Sequence, residues 1–97
     1  MTSLTASSTT TFYKSTPVFD EVTIPAGLRR EHRTKAGTWG VIRVLDGQLR
    51  YQVLEPNSEA ILEPRRPGLI LPEQPHLVEP LGAVRMQVEF YDHLPEL

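Results

Sequence analysis

Proline limits what this chain can fold into more than any other feature, because nine prolines are spread over its 97 residues. Each proline removes a backbone donor and clashes with the preceding turn of a helix, so long α-helices are disfavoured. No stretch of about 11 residues carries apolar side chains with the 3.6-residue period of an amphipathic helix. The sequence instead predicts short strands separated by turns, at 18–24, 28–34, 39–45, 48–54, 60–62, 69–71, 76–78 and 84–91.

The strongest local turn signal is Asp46-Gly47. Asp-Gly between two alternating runs favours a two-residue type I′ hairpin, since both turn residues need a positive φ. The resulting register places six mostly apolar residues on one core face. These are Gly40, Ile42, Val44, Leu49, Tyr51 and Val53. The opposite face carries Val41 and Leu45, which suit a surface for a second copy of the chain.

The last predicted strand alternates clearly between apolar and polar residues. Val84, Met86, Val88 and Phe90 share one face, and Glu89 lies on the other. Short strands with closely spaced turns are typical of a β-sandwich or barrel. We therefore expect one all-β domain over 12–97, preceded by a disordered Ser/Thr/Ala-rich tail over 1–11.

Charge and composition exclude several classes of function. The formal net charge is −2, which gives no general case for binding nucleic acid or a membrane surface. The chain contains no cysteine, so disulfides, thiolate metal sites and a cysteine nucleophile are excluded. No apolar run reaches the roughly 18–20 residues of a membrane span, and the first residues lack the pattern of a signal peptide. A cytoplasmic location is the default expectation.

Two segments resemble the paired motifs of cupins, HRTKAGTWGVIRVLDG at 32–47 and PGLILPEQPHLV at 67–78. The segment HRTKAGTWG at 32–40, with STPVF at 15–19 and VEFY at 88–91, is more specifically similar to the TehB/YeaR-like domain family. That family includes the front domain of some tellurite-resistance TehB proteins and small stand-alone proteins. The resemblance implies a jelly-roll fold (a double-stranded β-helix), a ligand or metal pocket at its mouth, and a link to tellurite or oxyanion stress.

The sequence departs from the resemblance at two points. The first cupin motif usually supplies two histidines and a glutamate, whereas this chain offers His32 and has Gly40 near the position of the glutamate. The methyltransferase chemistry of TehB belongs to another domain, and no glycine-rich nucleotide loop follows a strand here. The resemblance therefore implies neither methyl transfer nor a nucleotide cofactor for this chain.

His32 and His76 are the candidate metal ligands, and Glu89 is the candidate for a third. Two imidazoles and one carboxylate suit a divalent ion such as Zn, Fe or Ni, with open positions for water or substrate. The alternative is that His32 is a surface histidine and that His76 serves only the strand after Pro75. The metal set would require Glu89 to face the same pocket, which the sequence alone leaves undecided.

A basic run, Arg29, Arg30, Arg33 and Lys35, has two interpretations. It is either a site for a small anion near the mouth or a solvated edge strand whose charges prevent edge pairing. Trp39 and Tyr51 are each candidates for ligand contact or for core packing.

The sequence leaves three functional hypotheses. The first is a small-ligand or metal-binding module, the second is a metal-dependent enzyme such as a small oxygenase or isomerase, and the third is a structural dimerising domain. A chain of this size buries a limited fraction of its surface, so we also expect a homodimer.

Overall fold

The computed structural model describes residues 14–97, so the tail expected at 1–11 lies outside the described residues. The described chain contains β1 (Lys14–Ser15), β2 (Phe19–Asp20), a 3₁₀ helix (Ala26–Arg29), β3 (Trp39–Leu54), β4 (Asn57–Leu62), β5 (Gly68–Ile70) and β6 (His76–Tyr91). The expected all-β class is confirmed. None of the helical segments within residues 14–97 has the length and hydrophobicity of a membrane span.

Two strands of 16 residues each, β3 and β6, form the centre of the fold. They pair antiparallel from Trp39↔Tyr91 to Val53↔His76. The first half of β3 also pairs with β5, and its second half pairs with β4. The far end of β6 pairs with β1 and β2. All pairs are antiparallel, and the strands pack into a sandwich around one core.

The hairpin expected at Asp46-Gly47 is wrong, because β3 runs through this dipeptide without turning back. Its register against β6 shifts on either side of Asp46 and Gly47, as in a β-bulge. Gly47 has a φ of +82°, and a Cβ there would lie 2.1 Å from the carbonyl oxygen of Ala83. The Asp-Gly pair therefore bends a continuous strand at a close backbone contact. The chain reverses instead at 55–56, between Leu54 and Asn57.

The strands expected at 18–24 and 28–34 form only in small part. The Asp20 carboxylate accepts hydrogen bonds from the backbone N–H groups of Val22 and Thr23, which turns the chain after two residues of β2. Pro25 then precedes the 3₁₀ helix. Side-chain capping by Asp20 competes with strand pairing, and the propensity of the apolar residues does not overcome it.

The predicted core faces are confirmed. The core cluster contains every apolar member of the expected face of β3, together with Val84, Met86 and Val88 of β6. The expected outer face is partly wrong, because Val41 is completely buried within the single chain. Leu45 remains exposed. The homodimer stays a prediction, supported by Leu45 and by β4, which pairs only with β3 within the described residues.

A series of glycine-to-alanine variants tests the bend in β3. Gly47→Ala should lower the free energy of unfolding by more than about 2 kcal/mol, because it combines a positive φ with a backbone clash. Gly82→Ala should cost about 1 kcal/mol, since its φ is +86° but its Cβ would meet open space. Gly27→Ala is the matched control, with neither problem. Urea denaturation measures all three, and equal losses at Gly47 and Gly27 would contradict the bend described here.

Candidate functional site

A cavity of about 360 Å³ opens at one end of the sandwich. Its wall combines residues from β1, the segment before β3, β5 and both ends of β6. The apolar part consists of Leu28, Ile70, Val88 and Phe90. The polar part consists of Lys14, Thr16, His32, Arg33, Thr34, Lys35, Thr38 and His76. We call this space the mouth cavity.

His32 and His76 are brought together by their backbones. The N–H of His32 donates to the carbonyl of His76 at 3.0 Å, and the N–H of His76 donates to the carbonyl of His32 at 2.9 Å. This two-way bridge joins His32 to the first residue of β6, His76, and fixes both Cα positions. The ring centroids are consequently 4.1 Å apart, with the planes 63° from parallel. Both histidines line the mouth cavity.

The tautomer of each ring follows from its hydrogen bond. His32 Nδ1 lies 3.0 Å from the carbonyl oxygen of Arg30, and His76 Nδ1 lies 2.8 Å from that of Gln74. A carbonyl oxygen can only accept, so each neutral ring carries its proton on Nδ1 and leaves the Nε2 lone pair unprotonated. His76 is 1% exposed, and burial, together with the nearby His32, lowers its pKa.

Lys14 reaches the mouth cavity because β1 is pinned against β6. Lys14 pairs with Phe90 in the strand register. Two hydrogen bonds then hold the next residues: the N–H of Thr16 donates to the carbonyl of Val88 at 2.9 Å, and the N–H of Val88 donates to Thr16 Oγ1 at 3.0 Å. The cation therefore lies at a fixed edge of the sheet.

Arg33 and Lys35 reach the cavity from the segment between His32 and β3. The N–H of Thr38 donates to the carbonyl of Lys35 at 3.2 Å, and Thr34 Oγ1 donates to the carbonyl of Thr38 at 2.8 Å. The turn also contains Gly37, whose φ is +78°. These contacts close a short turn that holds Lys35 on the rim of the cavity.

The mouth cavity has three cationic side chains in its wall and no carboxylate among its described lining residues. Arg33 is partly neutralised, since its guanidinium lies 3.4 Å from the exposed carboxylate of Glu31. Neither Lys14 nor Lys35 has an ion-pair partner within residues 14–97. Of the two interpretations of the basic run, the anion site gains support at Arg33 and Lys35. Arg29 and Arg30 are exposed and do not line the cavity.

Glu89 is not brought to the histidine pair. It follows Val88, which lines the mouth cavity, and therefore lies on the other face of β6. Its carboxylate accepts from Arg43 Nε at 3.1 Å and from the Tyr91 hydroxyl at 3.0 Å. Within residues 14–97, no three His, Cys, Asp or Glu side chains are grouped as metal ligands.

Of the two aromatic candidates, Tyr51 packs in the core. Its hydroxyl donates to the carbonyl of Leu69 at 2.8 Å, and burial raises its pKa to about 12. Its ring contacts His76 edge-on with centroids 5.8 Å apart, which helps to hold that imidazole. Trp39 is half-buried at the start of β3 and lies outside the cavity wall.

Sequence reasoning missed Lys14 and the threonines of the wall. Nothing near Lys14 in the sequence marks it, because its neighbours in the cavity other than Thr16 are at least fourteen positions away along the chain. The STPVF segment carried the only signal, as part of the family resemblance.

The fold and the mouth cavity define a small all-β domain with a ligand-sized pocket at one end. A family model described as the TehB-like domain matches residues 14–88. The chain therefore belongs to the TehB-like domain family.

Curated relatives place this domain within larger proteins. A protein of Haemophilus influenzae strain Rd, described as a probable S-adenosyl-L-methionine-dependent methyltransferase TehB, is 39% identical over 49 residues. That match covers 50% of this chain and 17% of the relative. Its counterpart in strain 10810 is 35% identical over the same length. The chain thus corresponds to a minor part of these methyltransferases.

Solved structures show the same fold. The crystal structure of Haemophilus influenzae TehB superposes with a TM-score of 0.74 at 30% identity, covering 82% of this chain and 30% of that one. A crystal structure of an Escherichia coli K12 protein superposes with a TM-score of 0.77, covering 89% of this chain and 92% of that one. The identity to the second is 23%, so it supports the fold alone.

The cofactor expectation is corrected by these findings. We expected a divalent metal and no nucleotide cofactor. The curated relatives are instead described as probable S-adenosyl-L-methionine-dependent methyltransferases. The structure also separates Glu89 from the two histidines and groups no three ligands within residues 14–97. The physical reason is the alternation of β6, which points Val88 into the mouth cavity and Glu89 to the opposite face of the strand.

Burial of His76 predicts a specific pH dependence of stability. Its pKa is below the usual 6.5 in the folded chain, so the unfolded chain takes up a proton first as the pH falls. Stability from this group is therefore complete above the unfolded pKa and is lost as the pH falls toward the folded pKa. The free energy of unfolding of the wild type should fall between about pH 7.5 and 5, where carboxylates stay ionised.

The matched variant is His76→Gln, which cannot titrate but keeps a donor for the carbonyl of Gln74. Its free energy of unfolding, from urea denaturation, should depend less steeply on pH over the same range. Equal slopes for the variant and the wild type would contradict the neutral, buried state of His76.

Proposed function

We propose that this chain is a binding module for a small anion, held in the mouth cavity. The observation that carries this proposal is the charge of the wall: Lys14, Arg33 and Lys35 surround the opening, and no carboxylate lines it within the described residues. Lys14 and Lys35 have no ion-pair partner within residues 14–97, so an anion that bridges the lysines relieves their mutual repulsion. The hydroxyl protons of Thr16 and Thr34 are already donated to backbone carbonyls, so the cationic side chains are the main partners for the anion.

The wall as a whole suits two kinds of ligand, either an anion with an apolar body or a compact oxyanion. Leu28, Ile70, Val88 and Phe90 form the apolar part, against which a hydrocarbon or aromatic group can pack. The volume of about 360 Å³ is at the lower end of the range for small-molecule sites. An oxyanion would use the cationic rim alone, whereas an aromatic carboxylate would use both parts.

Membership of the TehB-like family supports a binding role for this domain that accompanies methyl transfer but is not the transfer itself. The chain matches 17% of the curated TehB relatives, so their methyltransferase activity and their S-adenosylmethionine dependence remain attributes of the longer proteins. As the resemblance implies, we propose that the anion site serves a cytoplasmic response to oxyanion stress such as tellurite. The alternative of a metal-dependent enzyme is not retained, because it depends on the metal expectation corrected above.

Isothermal titration with sodium tellurite and, separately, sodium benzoate tests the anion site. At least one of them should bind saturably and more weakly as salt rises, since rim lysines are screened. Lys14→Gln and Lys35→Gln should each weaken that binding about tenfold, because each removes one charged contact. The chain has no cysteine, so no protein thiol interferes with the tellurite.

The matched control is Arg65→Gln. Arg65 is an exposed cation on the turn between β4 and β5, away from the cavity wall. This variant loses the same charge and should bind as the wild type does. If neither anion binds, or if all three variants weaken binding equally, the proposed site is wrong.

A further inference from the structure

A second, much smaller space continues the mouth cavity inward. It has a volume of about 10 Å³ and shares five of its lining residues with the mouth cavity. The shared residues are Leu28, His32, Ile70, His76 and Val88. The histidine pair therefore lies at the junction between the mouth cavity and this inner void.

The chemistry of the inner void is unusual, because its only polar lining groups among the described residues are the two imidazoles. All other side chains of its wall are apolar, namely Leu28, Ile42, Ile70, Val78, Met86 and Val88. With Nδ1 of each ring protonated against a carbonyl, the imidazoles offer acceptors and no further donor. A polar group that enters this space can pair with these imidazoles only as a hydrogen-bond donor.

His76 has an acceptor, Nε2, that lacks such a donor among the described residues. Its N–H, its carbonyl and its Nδ1 are all hydrogen-bonded, but its buried Nε2 has no hydrogen-bond partner among residues 14–97. A buried acceptor without a partner is destabilising, so a donor delivered there is favourable. The void is at the lower limit of the volume that one water needs, and a water there would meet two polar partners at most.

We infer that the ligand of this module is an anion that also carries a hydroxyl group, with its charge at the cationic rim and its O–H donating to Nε2 of His76. This inference rests on the anion site proposed above and narrows its ligand class to hydroxylated anions. Because Nε2 has almost no contact with solvent, admission of the hydroxyl requires the half-buried ring of His32 to move, which gives up the contact of its Nδ1 with the carbonyl of Arg30. The backbone bridge between the histidines stays in place during that movement.

Matched pairs of ligands test this inference on the full chain. Mandelate is compared with phenylacetate, and para-hydroxybenzoate with benzoate, so that the hydroxyl is presented at two distances from the carboxylate. In at least one pair, isothermal titration should show the hydroxylated member binding about tenfold more tightly. In His76→Leu the two members of that pair should bind equally, because the acceptor is gone.

A second measurement does not depend on the folding of His76→Leu. Long-range ¹⁵N–¹H correlation spectra of the wild type report the imidazole nitrogens, and the Nε2 resonance of His76 should shift with the hydroxylated member and not with its partner. Equal affinities within both pairs and an unmoved Nε2 resonance would overturn the inference while leaving the anion site intact. Failure of all four carboxylates and of tellurite to bind would overturn both.

Discussion

The pairing of β3 with β6 is the interaction on which the rest of the structure depends. Each strand has 16 residues, and together they supply most of the core. Their register sets Val53 beside His76 at one end and Trp39 beside Tyr91 at the other. Because β3 bends at Gly47 and stays paired with β6 on both sides of the bend, the same pair extends along the length of the sandwich.

This pairing also builds the mouth cavity. The end of β6 at His76 receives the backbone bridge from His32, and its other end receives β1 with Lys14. The cavity wall is thus assembled from opposite ends of one strand, with His76 at one end and Val88 and Phe90 at the other. Charge collects there because two separate segments, β1 and the turn before β3, each place lysine at the same opening.

The core residues were predicted correctly from the sequence, but the hairpin turn predicted at Asp46-Gly47 was not. A two-residue hairpin at Asp46-Gly47 and a bulge at the same place both put Val44 and Leu49 on one face, so the apolar pattern cannot distinguish them. The decision depends on a distant partner, the backbone of Ala83, against which Gly47 packs. The Asp-Gly signal therefore correctly predicted an irregularity at this point, but the irregularity is a β-bulge and not a hairpin turn.

The site was predictable to the extent that family resemblance located it. The motifs brought His32 and His76 together, and the structure places them in contact. Alternation alone separated Glu89 from Val88, but the sequence could not say which face lined the pocket. Lys14 could not be found from its neighbours, since only the β1–β6 register brings it to the cavity.

Chemical-shift mapping locates the ligand most directly. Backbone amide resonances of the ¹⁵N-labelled chain, followed during titration with whichever anion binds, should move at Thr16, Thr34, Lys35 and Thr38 around the mouth cavity. Amides of β4 at Glu59 and Ile61, on the far edge of the sheet, should stay in place. Shifts concentrated on β4, or spread evenly over all exposed basic residues, would contradict an anion site in the mouth cavity.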